Sequence, residues 1–316
     1  MLSPLEVFGL TPFSDTLRAV RLVLGGSPHI PKTRVGRSSL GILRPALGVR
    51  TWLGRRRADG RVHVSNLFNR TPTPHAAGWS VERTQVRDFR GRGLTYDSHN
   101  GTDFAVPIGT TVVAPAPGRV ALITSDFNRG GLKVLIDHGD GLFTMSAHLG
   151  RALVPVGHVL RRGEPFALSA YSGLDAVVAF PWSPPHVHFN VWLDGKPVDP
   201  FATPGETALW RGGNDPRPCP DEGCGEFEPV PAPSVWDLAG LGTAARACRA
   251  PELAARIAHA ATPEAQGAMT LFLMNYYPTT FAERPAILAG AHARAPRLDL
   301  PFQARDARGV VFADET

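Results

Sequence analysis

The stretch from residue 95 to residue 202 is a series of short apolar runs separated by turns, and this pattern limits the fold most strongly. In FAVPIGTTVVAPAPGRVALIT the runs are broken by Pro-Ile-Gly and Ala-Pro-Gly, and the segments LKVLID and LFTMSAHL flank the turn HGDG. GHVLRRGEPFALSA and HVHFNVWLDGKPVDP add further strand-like segments. Closely spaced strands with no helical period between them predict an antiparallel β-sandwich or barrel.

The flanking segments follow other patterns, which divide the chain into four predicted parts. These are an irregular N-terminal region, a mainly β domain, a Pro/Gly-rich linker and an α-helical C-terminal region, at residues 1–90, 91–202, 203–233 and 234–316. A short helix is expected near residues 14–24. Another helix is expected to begin at Thr262, with the threonine as its cap and Pro263 in the first helical position. The final segment, RGVVFADE, fits a strand.

Composition and charge exclude several classes of protein. The chain has 316 residues, of which 43% are apolar, so it can bury a sizeable core. The net charge is +5, but no Lys/Arg block is interleaved with aromatic residues, so no nucleic-acid partner is predicted. No apolar run approaches the roughly 18 residues of a membrane span. The first 20 residues lack the positive start and uninterrupted apolar core of a signal peptide.

The cysteines leave two interpretations open. Cys219 and Cys224 lie close together in CPDEGC, and a disulfide between them would indicate an oxidising compartment. Three free thiols, with Cys248 standing apart, fit the sequence equally well. A structural zinc site normally takes four Cys or His ligands, and no second pair of cysteines is present.

Two histidine motifs have the spacing of metal ligands. SHNGTDFAVP contains His99 and Asp103, and Gly101 between them is expected to let the backbone bend so that both side chains face one ion. In PPHVHFNVW, His186 and His188 are two residues apart on a predicted strand and therefore share a face. The first pair and one histidine of the second supply the three protein ligands of a catalytic zinc site.

A further histidine extends this group. His148 follows Leu142, Thr144 and Ser146 on one face of the strand LFTMSAHL and is expected to end that strand. There it would act as a proton-handling group beside the other two motifs. The remaining histidines are predicted to be surface or capping residues, and His138 is predicted to be a turn residue before Gly139. These remaining histidines are His29, His63, His75, His138, His158, His259 and His292.

Four segments resemble the lysostaphin/LytM-type zinc metalloendopeptidases in order, spacing and connecting turns. They are HNGTDFAVPIGTTVVAPAPGRV, VLIDHGDGLFTMSAHL, VGHVLRRGEPFALSA and HVHFNVWLDGKPVDP, and together they extend over about residues 96–201. The resemblance implies an antiparallel β-sheet of the duplicated-hybrid-motif type, with a groove over the metal. It also implies that the substrate is a peptide bond of bacterial peptidoglycan and that the protein acts in the cell envelope or outside the cell.

The resemblance also implies a division of roles among the site residues. His99, Asp103 and His188 would hold one Zn²⁺, and His148 and His186 would be the catalytic pair. From the residues alone, either histidine of the HVH motif could be the ligand.

Two departures from the family pattern lie beside the implied groove. A Gly-Thr-Gly-rich loop is usual before the final histidine strand, but here the segment SAYSGLDAVVAFPWSPP is longer, apolar and rich in proline. Asn190 stands where an acid is common. Neither change removes a ligand, so the expected consequence is altered substrate specificity.

Two functions other than catalysis also fit parts of this sequence. A non-catalytic peptidoglycan-binding or regulatory module of the same fold is the main alternative, and the complete ligand set favours the enzyme. A biotinyl or lipoyl carrier domain would need a lysine at a hairpin tip. Lys133 lies in a strand-like run and Lys196 lies beside Pro197, so neither fits that role.

Overall fold

The structure is a computed structural model that describes residues 1–10, 13–71, 75–221 and 228–315. Its helices are α1 (Pro4–Phe8), α2 (Phe13–Gly25), α3 (Pro45–Trp52), α4 (Leu174–Ala179), α5 (Leu238–Ala247), α6 (Pro251–Ala258) and α7 (Pro263–Tyr276), with 3₁₀ turns at Arg37–Ile42, His75–Ala77 and Pro278–Thr280. The first strands are β1 (Val62–Asn66), β2 (Thr102–Ala105), β3 (Thr111–Val113), β4 (Gly118–Asp126), β5 (Gly131–Asp137) and β6 (Leu142–Ala152). The later strands are β7 (Val159–Leu160), β8 (Pro165–Ser169), β9 (His186–Leu193), β10 (Lys196–Val198), β11 (Pro218–Cys219), β12 (Leu300–Gln303) and β13 (Val310–Phe312).

Within these described residues, eleven strands form one sheet. The main order is β13-β1-β2-β9-β6-β5-β4-β7, while β10 pairs with β9 and β8 pairs with β6 and β3. The pairings are antiparallel except for β1 with β13, which is parallel. The prediction of a mainly antiparallel β domain is therefore confirmed.

The two faces of the sheet are covered differently. On β9, Val187, Phe189 and Val191 face a core that also contains Trp210 and Phe302. Because side chains alternate along a strand, the histidines of β9 lie on the opposite face.

On that opposite face Trp192 packs with Phe143 and Met145 against α7, which contributes Leu271 and Phe272. The C-terminal helices thus cover the same face of the sheet that carries the histidines.

The regions on either side of the β domain are packed into it more closely than the sequence predicted. The segment predicted as a linker places Leu209 and Trp210 in the first core at 1% and 0% exposure. After α7 the chain returns as two strands, of which β13 pairs with β1 from the N-terminal region. The four-part division of the chain therefore remains a prediction, while the sheet itself draws on three of its parts.

Two helices predicted from the sequence are present in the structure, and one of the cysteines is buried. The helix near residues 14–24 is α2, and α7 begins as expected, since the Thr262 hydroxyl accepts a hydrogen bond from the Ala265 N–H at 3.2 Å. The Cys219 thiol is buried and contacts the carbonyl oxygens of Ala114 and Leu300. Its proposed partner, Cys224, lies outside the described residues.

None of the helices in the described part of the chain combines the length and the apolar character needed to cross a membrane.

Candidate metal centre

Strand pairing brings the two histidine motifs together. Asp103 on β2 lies directly opposite His188 on β9, and on its other side β9 places His188 opposite Ala147 of β6. His99 lies in the turn before β2. Residues 85 to 89 positions apart in the chain thus meet in the middle of the sheet.

Three side-chain atoms converge at one point. His99 Nε2 lies 3.1 Å from Asp103 Oδ1 and 3.2 Å from His188 Nδ1, and the latter two atoms are 2.7 Å apart. Ligands of a tetrahedral zinc ion at about 2.0–2.1 Å from the metal lie about 3.3 Å from one another. The three atoms are therefore slightly closer than zinc would hold them, so a small outward movement would accommodate the ion.

Hydrogen bonds behind the ligands set which atoms face the metal position. His99 Nδ1 is 2.6 Å from the Leu67 carbonyl oxygen, which can only accept, so Nδ1 carries the proton and Nε2 presents its lone pair. Asn66 Nδ2 donates to Asp103 Oδ2 at 2.9 Å, which turns Oδ1 toward the two imidazoles. Such partners orient metal ligands in many sites.

The charge states of the group also suit a metal ion. Burial disfavours the ionised form of Asp103, but the surrounding imidazoles outweigh it and hold the pKa of this carboxyl well below its usual range. Burial lowers the pKa of His188, despite its contact with Asp103. An ionised carboxylate and a neutral imidazole are the forms that bind metal, so the residues fit the group that the resemblance implies.

Gly101 is required here for a reason other than the predicted one. Its φ is not positive, so it does not supply a special bend. Instead, a Cβ at this position would lie 2.7 Å from the Phe189 carbonyl oxygen and 2.8 Å from His188 Nε2. The glycine therefore allows the turn that carries His99 to lie directly against the ring of His188.

The two histidines predicted to be catalytic lie beside the ligand cluster. The ring centroids of His148 and His186 are 4.6 Å apart, and His186 Nε2 is 3.7 Å from Asp103 Oδ1. Each ring directs Nδ1 to a carbonyl oxygen, that of Ser172 at 2.8 Å and that of Pro184 at 2.9 Å. Both rings therefore turn Nε2 toward the interior of the site.

The prediction that His148 ends its strand is wrong. β6 continues to Ala152, and His148 takes a φ of +58° within it, inside a shift in the register of β6 with β5. This left-handed residue turns the imidazole out of the alternation and toward His186. Sequence alternation alone could not reveal a bulge at this point.

Asp175 is a site residue that the motifs did not identify. It lies on α4, within the proline-rich segment that departs from the family pattern, and its Oδ2 is 3.2 Å from His148 Nε2. Burial, followed by the two neighbouring imidazoles of His186 and His188, holds the pKa of His148 well below its usual range. A histidine–carboxylate pair is thus placed beside the metal position by the unusual insertion.

A second group that the motifs missed reaches the site from the C-terminal region. The Tyr276 hydroxyl, at the end of α7, donates to Asn190 Oδ1 at 2.6 Å. Asn190 Nδ2 donates to Asn100 Oδ1 at 2.9 Å, and that oxygen is 3.2 Å from His188 Nε2. The asparagine that replaces the usual acid therefore links the last helix to a candidate ligand.

His138 corrects another prediction, because it is fully buried rather than a surface residue. Its Nδ1 is 2.9 Å from the Pro117 carbonyl oxygen and its Nε2 is 2.8 Å from Thr144 Oγ1. It does lie at the turn before Gly139, but both ring nitrogens are used to join that turn to the sheet.

A protein-family model described as Peptidase family M23 matches residues 97–200. Residues 97–200 are an M23 peptidase domain. This segment contains all five candidate site residues, which are His99, Asp103, His148, His186 and His188. The supporting residues Asn66 and Tyr276 lie outside it. The M23 domain in this chain is therefore completed by contacts from both flanks.

Named relatives also match part of the chain. The Peptidoglycan DD-endopeptidase ShyB of Vibrio cholerae is 36% identical over 152 residues, which are 45% of this chain and 33% of that protein. The Peptidoglycan DD-endopeptidase ShyA of the same organism is 37% identical over 101 residues, 32% of this chain and 22% of that protein. The chain thus spans about a third or less of the length of these two relatives.

Solved structures give matches of similar extent. A zinc-containing peptidase from Vibrio cholerae is 28% identical, with a TM-score of 0.33, and the match covers 45% of this chain and 36% of that one. The catalytic domain of lysostaphin from Staphylococcus simulans is 26% identical, with a TM-score of 0.28, and covers 32% and 75% of the two chains.

Proposed function

We propose that this protein is a zinc-dependent endopeptidase that hydrolyses peptide bonds of bacterial peptidoglycan. The observation that carries the proposal is the convergence of His99 Nε2, Asp103 Oδ1 and His188 Nδ1 within 3.2 Å of one another, inside an M23 domain. The names of the two Vibrio relatives support peptidoglycan as the substrate.

Zinc is the metal that best fits this donor set. Two imidazoles and one carboxylate, all buried, match the three protein ligands of a catalytic zinc site, in which the fourth position stays open. When bound there, zinc would lower the pKa of water to about 7 and polarise the scissile carbonyl. The protein's part is to hold the three ligands in the required charge states, which Leu67 and Asn66 support from behind.

His186 and His148 are assigned the proton transfers. His186 Nδ1 already donates to the Pro184 carbonyl oxygen, so its Nε2, 3.7 Å from Asp103 Oδ1, has a lone pair to accept the proton of the attacking water. His148 Nδ1 donates to the Ser172 carbonyl oxygen, so the neutral ring has its lone pair on Nε2, 3.2 Å from Asp175 Oδ2. A proton taken up at Nε2 would be stabilised by that carboxylate and could then pass to the leaving amine. The low exposure of both rings, 5% and 6%, keeps bulk water from these transfers.

The test compares two alanine variants by metal analysis and by digestion of purified peptidoglycan. His99→Ala should lose bound zinc and all activity. His148→Ala should retain zinc and lose about 100- to 10,000-fold in rate, the contribution expected of a proton-transfer group. If His148→Ala lost zinc as readily as His99→Ala, the division between ligands and proton-transfer residues would be wrong.

The same experiment separates the enzyme from a non-catalytic module. One relative, the Murein hydrolase activator EnvC of Escherichia coli, is 31% identical over 132 residues and is named for activation rather than hydrolysis. Wild-type protein that binds zinc but releases no new peptide ends from peptidoglycan would contradict the enzyme and support such a role.

A further inference from the structure

A cavity of about 460 Å³ opens beside the metal centre, and its walls come from three parts of the chain. His99 and Asn100 form the side that belongs to the metal centre. Trp79 from the N-terminal region, Arg129 from the turn before β5 and Tyr277 after α7 form other parts of the wall. Its volume lies within the roughly 300–1,000 Å³ of typical ligand pockets.

Arg129 is the unusual residue of this cavity. Its side chain is 8% exposed, and its guanidinium carbon lies 4.9 Å from the ring centroid of Trp79 and 5.9 Å from that of Tyr277. Nη1 makes two long hydrogen bonds, to Thr33 Oγ1 at 3.4 Å and to the Asn128 carbonyl oxygen at 3.3 Å. Nε is buried without a partner, and Nη2 has none among the described residues.

A second arginine of this cavity is paired with acids. Arg70, which lines the same cavity, contacts Asp199 at 2.8 Å and Glu206 at 2.7 Å. Across the described ranges, no carboxylate is in ion-pair contact with Arg129. A guanidinium offers five N–H donors, and a buried charge without a counter-ion costs stability, so an anionic ligand would stabilise Arg129.

The remaining charges of the cavity do not offset Arg129. Asp97 also lines it, but its carboxylate already accepts hydrogen bonds from the Thr84 and Gln85 N–H groups and from the Ser80 hydroxyl. Among the residues that line the cavity, the cations Arg70, Arg129 and Arg284 outnumber the acid Asp97, so the wall carries a net positive charge. A guanidinium is planar, and its edge can bind a carboxylate with two parallel hydrogen bonds.

We propose that Arg129, between Trp79 and Tyr277, binds a free carboxylate of the peptide substrate next to the bond that is cleaved. This inference rests on the proposed function, because it places the substrate across the metal centre. It favours cross-links in which the amine of the cleaved bond comes from a carbon that also bears a carboxylate, as in diaminopimelate. Glycine bridges have no such group beside an internal bond.

The test uses two dipeptides that differ only in that carboxylate. In one, D-alanine is joined to an amine of diaminopimelate whose carbon carries a free carboxylate, and in the other that carboxylate is an amide. Binding is measured by calorimetry on the metal-free protein, and cleavage is measured on the zinc-loaded protein. The wild type should prefer the acid by about 10- to 100-fold, as expected for a charge-assisted pair.

Arg129→Gln should remove this preference by weakening binding of the acid while leaving the amide unchanged. Arg284→Gln is the control, because Arg284 is an exposed cation on the same cavity and should alter the preference less than about twofold. The melting temperature of Arg129→Gln should stay the same or rise, since a buried unpaired charge is removed.

Three outcomes would contradict the proposal that Arg129 binds the substrate carboxylate. These are equal treatment of acid and amide by the wild type, an equal loss of preference in Arg284→Gln, and a lower melting temperature with equal weakening of both peptides. If neither peptide is cleaved but acid binding still depends on Arg129, the proposed function fails and the pocket stands. If both are cleaved equally and Arg129→Gln has no effect, the pocket fails and the proposed function stands.

Discussion

Replacing Asn66 with alanine should weaken zinc binding, although Asn66 contacts no metal position itself. On β1 it lies opposite Asp103 of β2, beside a shift in strand register, and its Nδ2 donates to Asp103 Oδ2 at 2.9 Å. Both side chains are nearly fully buried, at 8% and 2% exposure, so water cannot easily replace the lost donor. Without Asn66, the carboxylate is free to rotate Oδ1 away from the two imidazoles.

The size of the effect follows from this single hydrogen bond. A hydrogen bond to a charged group contributes about 1.5–3 kcal/mol. Since about 1.4 kcal/mol corresponds to a factor of ten in affinity, the full loss would weaken zinc binding about 10- to 150-fold. Part of the same free energy stabilises the metal-free fold, so we expect about 10- to 100-fold, as for other residues that support a metal ligand.

The assay is competition for zinc against a chromophoric chelator at fixed pH, with Ser65→Ala as the matched control. Ser65 is the neighbouring buried residue on β1, and its hydroxyl contacts the carbonyl oxygen of Asp103 at 3.4 Å instead of its carboxylate. Ser65→Ala should change zinc affinity less than about threefold, because a long neutral hydrogen bond contributes little. Wild-type affinity in Asn66→Ala, or an equal loss in Ser65→Ala, would refute the role assigned to Asn66.

Two further predictions concern stability. Tyr276→Phe should lower the free energy of unfolding by about 1–2 kcal/mol and should also weaken zinc binding. Tyr277→Phe, which loses a hydrogen bond to Asn128 at 3.1 Å, should lower the free energy of unfolding but leave zinc binding unchanged. Equal zinc affinity of the two variants in the same chelator assay would contradict this prediction. Burial lowers the pKa of His138 to about 4, so the folded protein keeps this ring neutral while the unfolded chain takes up a proton below about pH 6.5. The free energy of unfolding should therefore fall by about 3 kcal/mol in total as the pH drops from about 6.5 to 4. Urea unfolding of His138→Gln should show a smaller change in this free energy over the same pH range. Parallel pH dependences of the two proteins would show that His138 is not responsible.

The sequence predicted the residues whose relation is local in the chain. His99 and Asp103 belong to one turn and strand, and His186 and His188 share a strand face, so spacing alone was enough to group them. Pairing of β2 with β9 then brought the two groups together, which the family resemblance anticipated. The apolar runs between turns likewise predicted the antiparallel sheet.

The residues that were missed depend on contacts distant in sequence. Asn66 lies 37 positions from Asp103, and Tyr276 lies 86 positions from Asn190, so no motif or periodicity connects them. Arg129 was not predicted as a site residue for another reason. An arginine in a Gly-rich turn is usually exposed to solvent, and only the folded chain shows that Arg129 is buried without an ion pair to a carboxylate of the described residues. His138 was misjudged because a turn position usually implies exposure.

The parallel pairing of β1 with β13 bears on how this protein can be shortened for experiments. A fragment limited to the matched residues 97–200 would lack both strands, and β2 would become the edge of the sheet. Its outer row of backbone N–H and C=O groups would then be free to pair with another molecule, which is a common route to aggregation. A well-behaved fragment should therefore begin before Val62 and retain the chain through Phe312, so that the strand carrying Asp103 stays in the interior.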